Sequence, residues 1–301
     1  MKMYKIKKDF LFSYAENHRL KPMVECAGEW KGITAQRGGT ASEEFRSNSR
    51  ETPGACPEQS RRISPGSFIL LLSFLLLLQA GCISLRQADK TVCQFSSMDA
   101  FQSGAYQGWV KYGSIAKSGD FGIGTVDRLD GEMIALDGRF YRIKSDGSVN
   151  VISPGTLSPF ATVTFFKPDR DFTAGQFSDY AGLAAFLDGI LPDKEALYAI
   201  RVDGDFLLMK TRSPRAQSKP YPALEEALRG QSVFLLKDVT GSMVGFRFPE
   251  SCRGVNKPGY HFHFLSGDKH SGGHVLELSF SGGKVRVSRI YNLSLKIPVS
   301  K

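Results

Sequence analysis

Four of the five histidines in this 301-residue chain fall between His261 and His274. The stretch Gly259-Tyr-His-Phe-His-Phe264 sets His261 and His263 at positions i and i+2. Side chains alternate along a β-strand, so both imidazoles face one way and Phe262 and Phe264 face the other. Residues 266–273 are polar and glycine-rich, which is turn chemistry, and the next strand is expected to begin at His274. A hairpin of this kind brings a third imidazole beside the first two. Three converging imidazoles predict a transition-metal site with Zn2+ as the expected occupant. Three protein ligands also leave one coordination position open for chemistry. A His-x-His pair alone arises on exposed strands that bind nothing, and it is His274, behind Gly272-Gly273, that tips the reading to metal. His270 lies in the turn and reads as solvated, and His18 is remote from the site.

The surrounding sequence must supply strands to hold these side chains. Residues 132–136 turn at Asp137-Gly138 into 140–143, which turns at Asp146-Gly147 into 149–152. Asp-Gly between alternating segments is a hairpin signal, so this reads as a meander. A further strand over 161–166 ends at Pro168. The best helix is predicted over 178–191, with Ser178 as cap, Pro192 as stop and an apolar face of Tyr180, Leu183, Phe186, Leu187, Ile190 and Leu191. Shorter helices are expected over 97–106, 112–117 and 222–228, the first capped by Ser96 or Ser97. The spacing predicts paired strands 197–202 and 206–211 across Asp203-Gly204, strands 232–236 and 241–248, and a last pair, 274–280 and 285–290, across Gly282-Gly283. Glycines within 119–131 predict close backbone packing, and no strand-then-helix context turns them into a dinucleotide site. The class is strand-rich α/β, of the α+β kind, without internal repeats.

Hydrophobic content of 42% and charged content of 23% are ordinary for a globular protein. Of the net charge of +9, twelve Lys/Arg and eight Asp/Glu precede Cys82, which leaves +5 spread over the remainder. No basic cluster with interleaved aromatics occurs, so nucleic-acid binding is not supported. Residues 1–65 show no sustained period and read as an unstructured leader, such as a misassigned start would leave. Residues 66–82, preceded by Arg61-Arg62, read as a secretory signal: an apolar run over 68–78, then Ala80-Gly81-Cys82. The run falls short of the roughly 20 residues of a membrane span. The ending resembles a bacterial lipoprotein signal, with Cys82 as the lipidated residue, although Gln79 stands where an aliphatic residue is usual. An exported, membrane-anchored lipoprotein is the expectation, with secretion and an uncleaved anchor as alternatives. Residues 83–91 form a polar tether. Cys93 and Cys252 could pair in an oxidising compartment, but one pair makes no framework.

From about residue 92 to residue 298 the chain resembles the alpha-acetolactate decarboxylase family. The resemblance is carried, in the family's order, by Gly119-Asp-Phe-Gly-Ile-Gly-Thr125, Leu129-Asp-Gly-Glu132, Asp137-Gly-Arg-Phe-Tyr141, Thr211-Arg-Ser213, Lys219-Pro-Tyr221, Gly245-Phe-Arg247, Gly259-Tyr-His-Phe-His-Phe264 and Ser271-Gly-Gly-His274. It implies a two-part fold (92–192 and 193–301) whose mixed sheets enclose a zinc site. By the same resemblance His261, His263 and His274 are the Zn2+ ligands, Glu132 and Arg212 the active-site glutamate and arginine, and Thr125 a residue lining the site. The implied reaction is decarboxylation of 2-acetolactate to acetoin and CO2 through a metal-stabilised enediolate. Arg212 would meet a carboxylate or oxyanion, and Glu132 would orient groups or relay the proton. Without the resemblance, Arg212 reads as a strand-edge surface charge, Glu132 as a solvated hairpin residue and Asp130 as a turn former.

Family members usually carry a tail with a second glutamate beyond the strand matching Leu293-Ser-Leu-Lys-Ile-Pro298, and this sequence stops at Lys301 with no Glu after Glu277. Reduced turnover is therefore one expectation. The alternative is a catalytically impaired lipoprotein of the same fold that binds zinc and a small hydroxy acid. A homodimer is left open.

Overall fold

Fourteen strands and four α-helices follow one another along residues 90–299, the part of the chain that the computed structural model describes. The expected leader, the signal with Cys82 and the tether up to residue 89 lie outside it, as do Ser300 and Lys301. In chain order the first half holds β1 (Thr91–Phe95), α1 (Met98–Gln102), β2 (Val110–Lys111), α2 (Tyr112–Ile115), β3 (Phe121–Thr125), β4 (Glu132–Leu136), β5 (Arg139–Ile143), β6 (Val149–Val151), β7 (Leu157–Ser158), β8 (Phe160–Thr164) and β9 (Arg170–Ala174). The second half holds α3 (Tyr180–Ile190), β10 (Leu197–Ser213), α4 (Leu224–Leu228), β11 (Ser232–Phe248), β12 (Gly259–Ser266), β13 (Gly272–Ile290) and β14 (Asn292–Lys296).

Two sheets carry the fold. The first runs β14-β1-β8-β3-β4-β5-β6, and it is mixed because β14 and β1 are parallel while the other neighbours are antiparallel. The second runs β10-β11-β12-β13-β9, antiparallel throughout, and β10 also pairs with β13, which closes four strands into a ring. The sheets exchange members across the expected 192/193 division: β9 joins the second sheet and β14 the first.

The strand pairs expected across Asp203-Gly204 and Gly282-Gly283 are not hairpins, nor are 232–236 and 241–248 separate strands. Each is one long strand, β10, β13 and β11 respectively. Gly204 stands opposite both Gly241 and Gly283. A Cβ on Gly204 would sit 2.3 Å from the Gly282 carbonyl oxygen, and one on Gly283 would sit 2.1 Å from that of Asp203. These glycines let three backbones cross at close range, a use of glycine that local pattern reads as a turn. The main helix begins at Tyr180, and its cap is Asp179, whose carboxylate accepts the Gly182 N–H at 2.8 Å, not Ser178. The Asp137-Gly138 turn and the Ser97 cap of α1 fall where the sequence puts them. Close packing of the 119–131 glycines is also observed: a Cβ on Gly122 would lie 2.2 Å from the Thr162 carbonyl of β8.

One apolar layer lies between the sheets, with Phe121, Ile123 and Ile134 against Ala199, Val244 and Phe246. A second lies under α3, where Leu183 and Leu187 pack with Phe262, Phe264 and Phe280. Phe262 and Phe264 are 1% and 0% exposed. Full burial of a phenylalanine side chain is worth about 1.5–3 kcal/mol, so the face opposite the imidazoles anchors β12. A buried polar knot sets the entry to β12. Asn256 Nδ2 donates to Gln94 Oε1 at 2.9 Å, Thr162 Oγ1 donates to the same oxygen at 2.6 Å, and Gln94 Nε2 donates to the Val255 carbonyl at 3.2 Å. Cys93 and Cys252 are free thiols packed against different apolar clusters, so they do not pair.

Candidate metal centre

The three histidines meet as their spacing predicts. His263 of β12 stands directly opposite His274 of β13, and His274 stands opposite Arg212 of β10, so one row crosses three neighbouring strands. Directly opposed residues bring their side chains into contact range. His261 lies two residues along β12 on the same face, and its Nε2 is 3.0 Å from His274 Nδ1. The three ligand nitrogens all lie within 4.8 Å of one another. His263 Nδ1 is 2.9 Å from the Met133 carbonyl oxygen of β4. A carbonyl only accepts, so Nδ1 carries the hydrogen and Nε2 keeps its lone pair for the pocket.

Burial keeps the imidazoles neutral. It pushes His263 down to about 3, helped by the Arg212 charge and opposed by the bond to Met133. It also holds His261 and His274 well below the ordinary histidine value, and Arg212, Lys257 and the neighbouring imidazoles push the same way. Neutral imidazole is the ligand form. Three such nitrogens converging, one with its ring fixed by a backbone carbonyl, fit a divalent transition ion. His270 is exposed in the turn beside Asp268, 3.7 Å away, and belongs to no site.

The first sheet supplies the acid. Glu132 opens β4 and is only 7% exposed, with Oε2 3.5 Å from His263 Nε2. It is not a solvated hairpin residue. Burial raises its carboxyl to about 7, against the pull of the Arg212 charge. Arg212 is not a surface charge either: its Nη1 donates to Gln231 Oε1 at 2.9 Å, and its Nε is buried without a partner. Burial lowers its pKa, and Glu132 opposes that. Thr125 stands opposite Glu132, lines the pocket and donates its hydroxyl to the Gly131 carbonyl at 2.6 Å. Asp130 pairs with Arg142 at 3.0 Å, outside the lining.

These groups form the floor of a cavity of about 800 Å³. Its apolar wall includes Met98, Phe101, Leu129, Phe160, Leu224 and Leu228, from α1, the β3–β4 connection, β8 and α4. Sequence reasoning passed over this wall, and over Gln231, Lys257 and the Met133 carbonyl. Only the apolar spacing of Leu224 and Leu228 offered a signal, and it spoke of a helix rather than a pocket.

Fold and pocket together define a strand-rich α+β protein with a three-imidazole centre sunk between two sheets. Residues 92–301 match the family described as Alpha-acetolactate decarboxylase. The alpha-acetolactate decarboxylase of Methanosarcina mazei is 42% identical over 213 residues, which cover 71% of this chain and 74% of that protein. That of Bacillus subtilis is 37% identical over 219 residues, covering 72% and 86%. The crystal structure of the Bacillus subtilis strain 168 enzyme superposes with a TM-score of 0.68 at 37% identity, over 70% of this chain and 90% of that one. A Staphylococcus aureus protein of unknown function, described as similar to alpha-acetolactate decarboxylase, gives 0.67 at 26% identity, over 69% and 89%. The chain belongs to the alpha-acetolactate decarboxylase family, and its class is that of a decarboxylase, a carboxy-lyase.

Proposed function

We propose that this protein decarboxylates 2-acetolactate to acetoin and CO2 at a divalent metal, expected to be Zn2+, held by His261, His263 and His274. The observation that carries the reading is the meeting of three neutral imidazoles, a buried carboxyl and a part-buried guanidinium at one pocket floor. A bound Zn2+ would supply Lewis acidity toward the oxygens of a hydroxy-keto acid. The chain's own residues do the rest. Arg212 binds the substrate carboxylate and fixes which carbon–carbon bond lies over the floor. When that bond breaks, CO2 leaves and its electron pair stays on the hydroxyl-bearing carbon, delocalised as an enediolate. A proton must then reach that carbon. Glu132, whose carboxyl burial raises to about 7 in the metal-free site, is the acid placed at the pocket floor to hold and deliver one. Apolar groups such as Phe101, Phe160 and Leu224 keep bulk water from supplying the proton at random.

Family membership does not favour the reading of a non-catalytic binder. The test is acetoin formation from racemic 2-acetolactate by the purified protein, beside Arg212→Ala. Turnover in the parent with a loss of roughly 10²-fold or more in the variant supports the reading. A parent that leaves acetolactate untouched, with metal bound, refutes it. We also propose that the protein is exported and held to a membrane by lipid on Cys82, on the strength of the 66–82 pattern. Cys82→Ser should move it from the membrane to the soluble fraction, and unchanged partitioning would count against lipidation.

A further inference from the structure

Arg212 has an unusual partner for an arginine at a pocket floor. Such a group ordinarily takes a carboxylate, whose two oxygens match the guanidinium fork. Here its Nη1 donates to the amide oxygen of Gln231 at 2.9 Å, and its Nε is buried with no partner. Among the described residues no carboxylate forms an ion pair with it. Gln231 is held in place from both sides. Its N–H donates to the Leu228 carbonyl at 3.1 Å, at the end of α4, and the next residue, Ser232, opens β11 opposite Ser213, one position from Arg212. It therefore links the pocket wall, through Leu224 and Leu228, to the pocket floor.

A neutral acceptor and an acidic one do different things here. Either would fix the direction of the guanidinium. A carboxylate would also cancel its charge and compete with an incoming anion. An amide leaves the charge whole. We propose that Gln231 is a positioning and specificity-determining residue: it aims Arg212 into the pocket without setting a negative charge against it, and so leaves the guanidinium available to the carboxylate of the substrate. The inference rests on the decarboxylase reading above. It also separates substrate from product, since acetoin has lost the carboxylate and gains nothing from Arg212.

The test uses the full-length, metal-loaded protein with 2-acetolactate, and compares Gln231→Glu, the near-isosteric Gln231→Met and Arg212→Ala. Gln231→Glu should fold and hold metal as the parent does, because it gains an ion pair, yet its KM should rise about tenfold or more with a smaller change in kcat. Gln231→Met, which keeps the volume and loses the acceptor, should lower kcat/KM by letting the guanidinium wander. In the Arg212→Ala background Gln231→Glu should add nothing to KM. A purely structural glutamine would affect stability and leave this split alone. If Arg212→Ala raises KM while both Gln231 variants keep the parent's kcat and KM, the inference is wrong and the decarboxylase reading stands. If the metal-loaded parent forms no acetoin, that reading falls and the inference with it.

Discussion

His261, His263 and His274 are neutral because burial opposes their charge, and that fixes how the site should respond to substitution and to acid. His261→Ala or His274→Ala should lose the metal, and His270→Ala should keep it. Metal analysis of the purified variants decides this, and full occupancy in the His261/His274 double variant would end the ligand assignment. The pH response of the metal-free protein has two parts of opposite sign. The imidazoles are depressed in the folded state, so the unfolded chain binds more protons below 6.5, and stability falls as pH drops through that value. Glu132 is raised from 4.5 to about 7, so between those values the folded chain holds the extra proton, and stability falls as pH rises. Glu132→Gln should therefore stabilise the metal-free protein at pH 8 by up to about 3 kcal/mol and give no gain at pH 4.5. Denaturant titrations at the two pH values measure it, and an equal effect at both would show that the carboxyl is not held up by burial. With metal bound, the same substitution should leave metal content intact and cut turnover by roughly 10²-fold or more.

The elements show how much could be read in advance. The three imidazoles were legible because period two and one turn are local rules, and β12 and β13 obey them. The meander from β4 to β6 was legible for the same reason. Glu132 and Arg212 were legible only through the family resemblance. Their burial comes from the packing of one sheet on the other, which no local pattern records. Long strands were cut short because Gly204 and Gly283 look like turn residues when their crossing partners are unseen. Gly204→Val tests that account. The new side chain would strike the Gly282 carbonyl, and overpacking of this kind costs about 1–3 kcal/mol or more, so the melting temperature should fall by several degrees. An unchanged melting temperature would mean that the strands do not cross there. Asn256→Leu should cost about 1–3 kcal/mol, since it removes one of the two donors to Gln94 Oε1 and the acceptor of the Lys257 N–H beside β12.

At the scale of the whole molecule, the exchange of β9 and β14 between the sheets ties the acid-bearing sheet to the imidazole-bearing one. The site needs both: β3 and β4 give Thr125 and Glu132, and β10, β12 and β13 give Arg212 and the histidines. Loosening the sheets from each other should therefore impair turnover before it unfolds either one. The central claim is that one ion held by three histidines is required for chemistry at this interface. Its most direct measurement is a titration of metal-stripped protein with Zn2+, following ion uptake and acetoin formation from 2-acetolactate together. The account predicts that both rise in step and level off at one ion per chain, and that His261→Ala shows neither. Acetoin formed at the full rate by the stripped protein, or by His261→Ala, would contradict it.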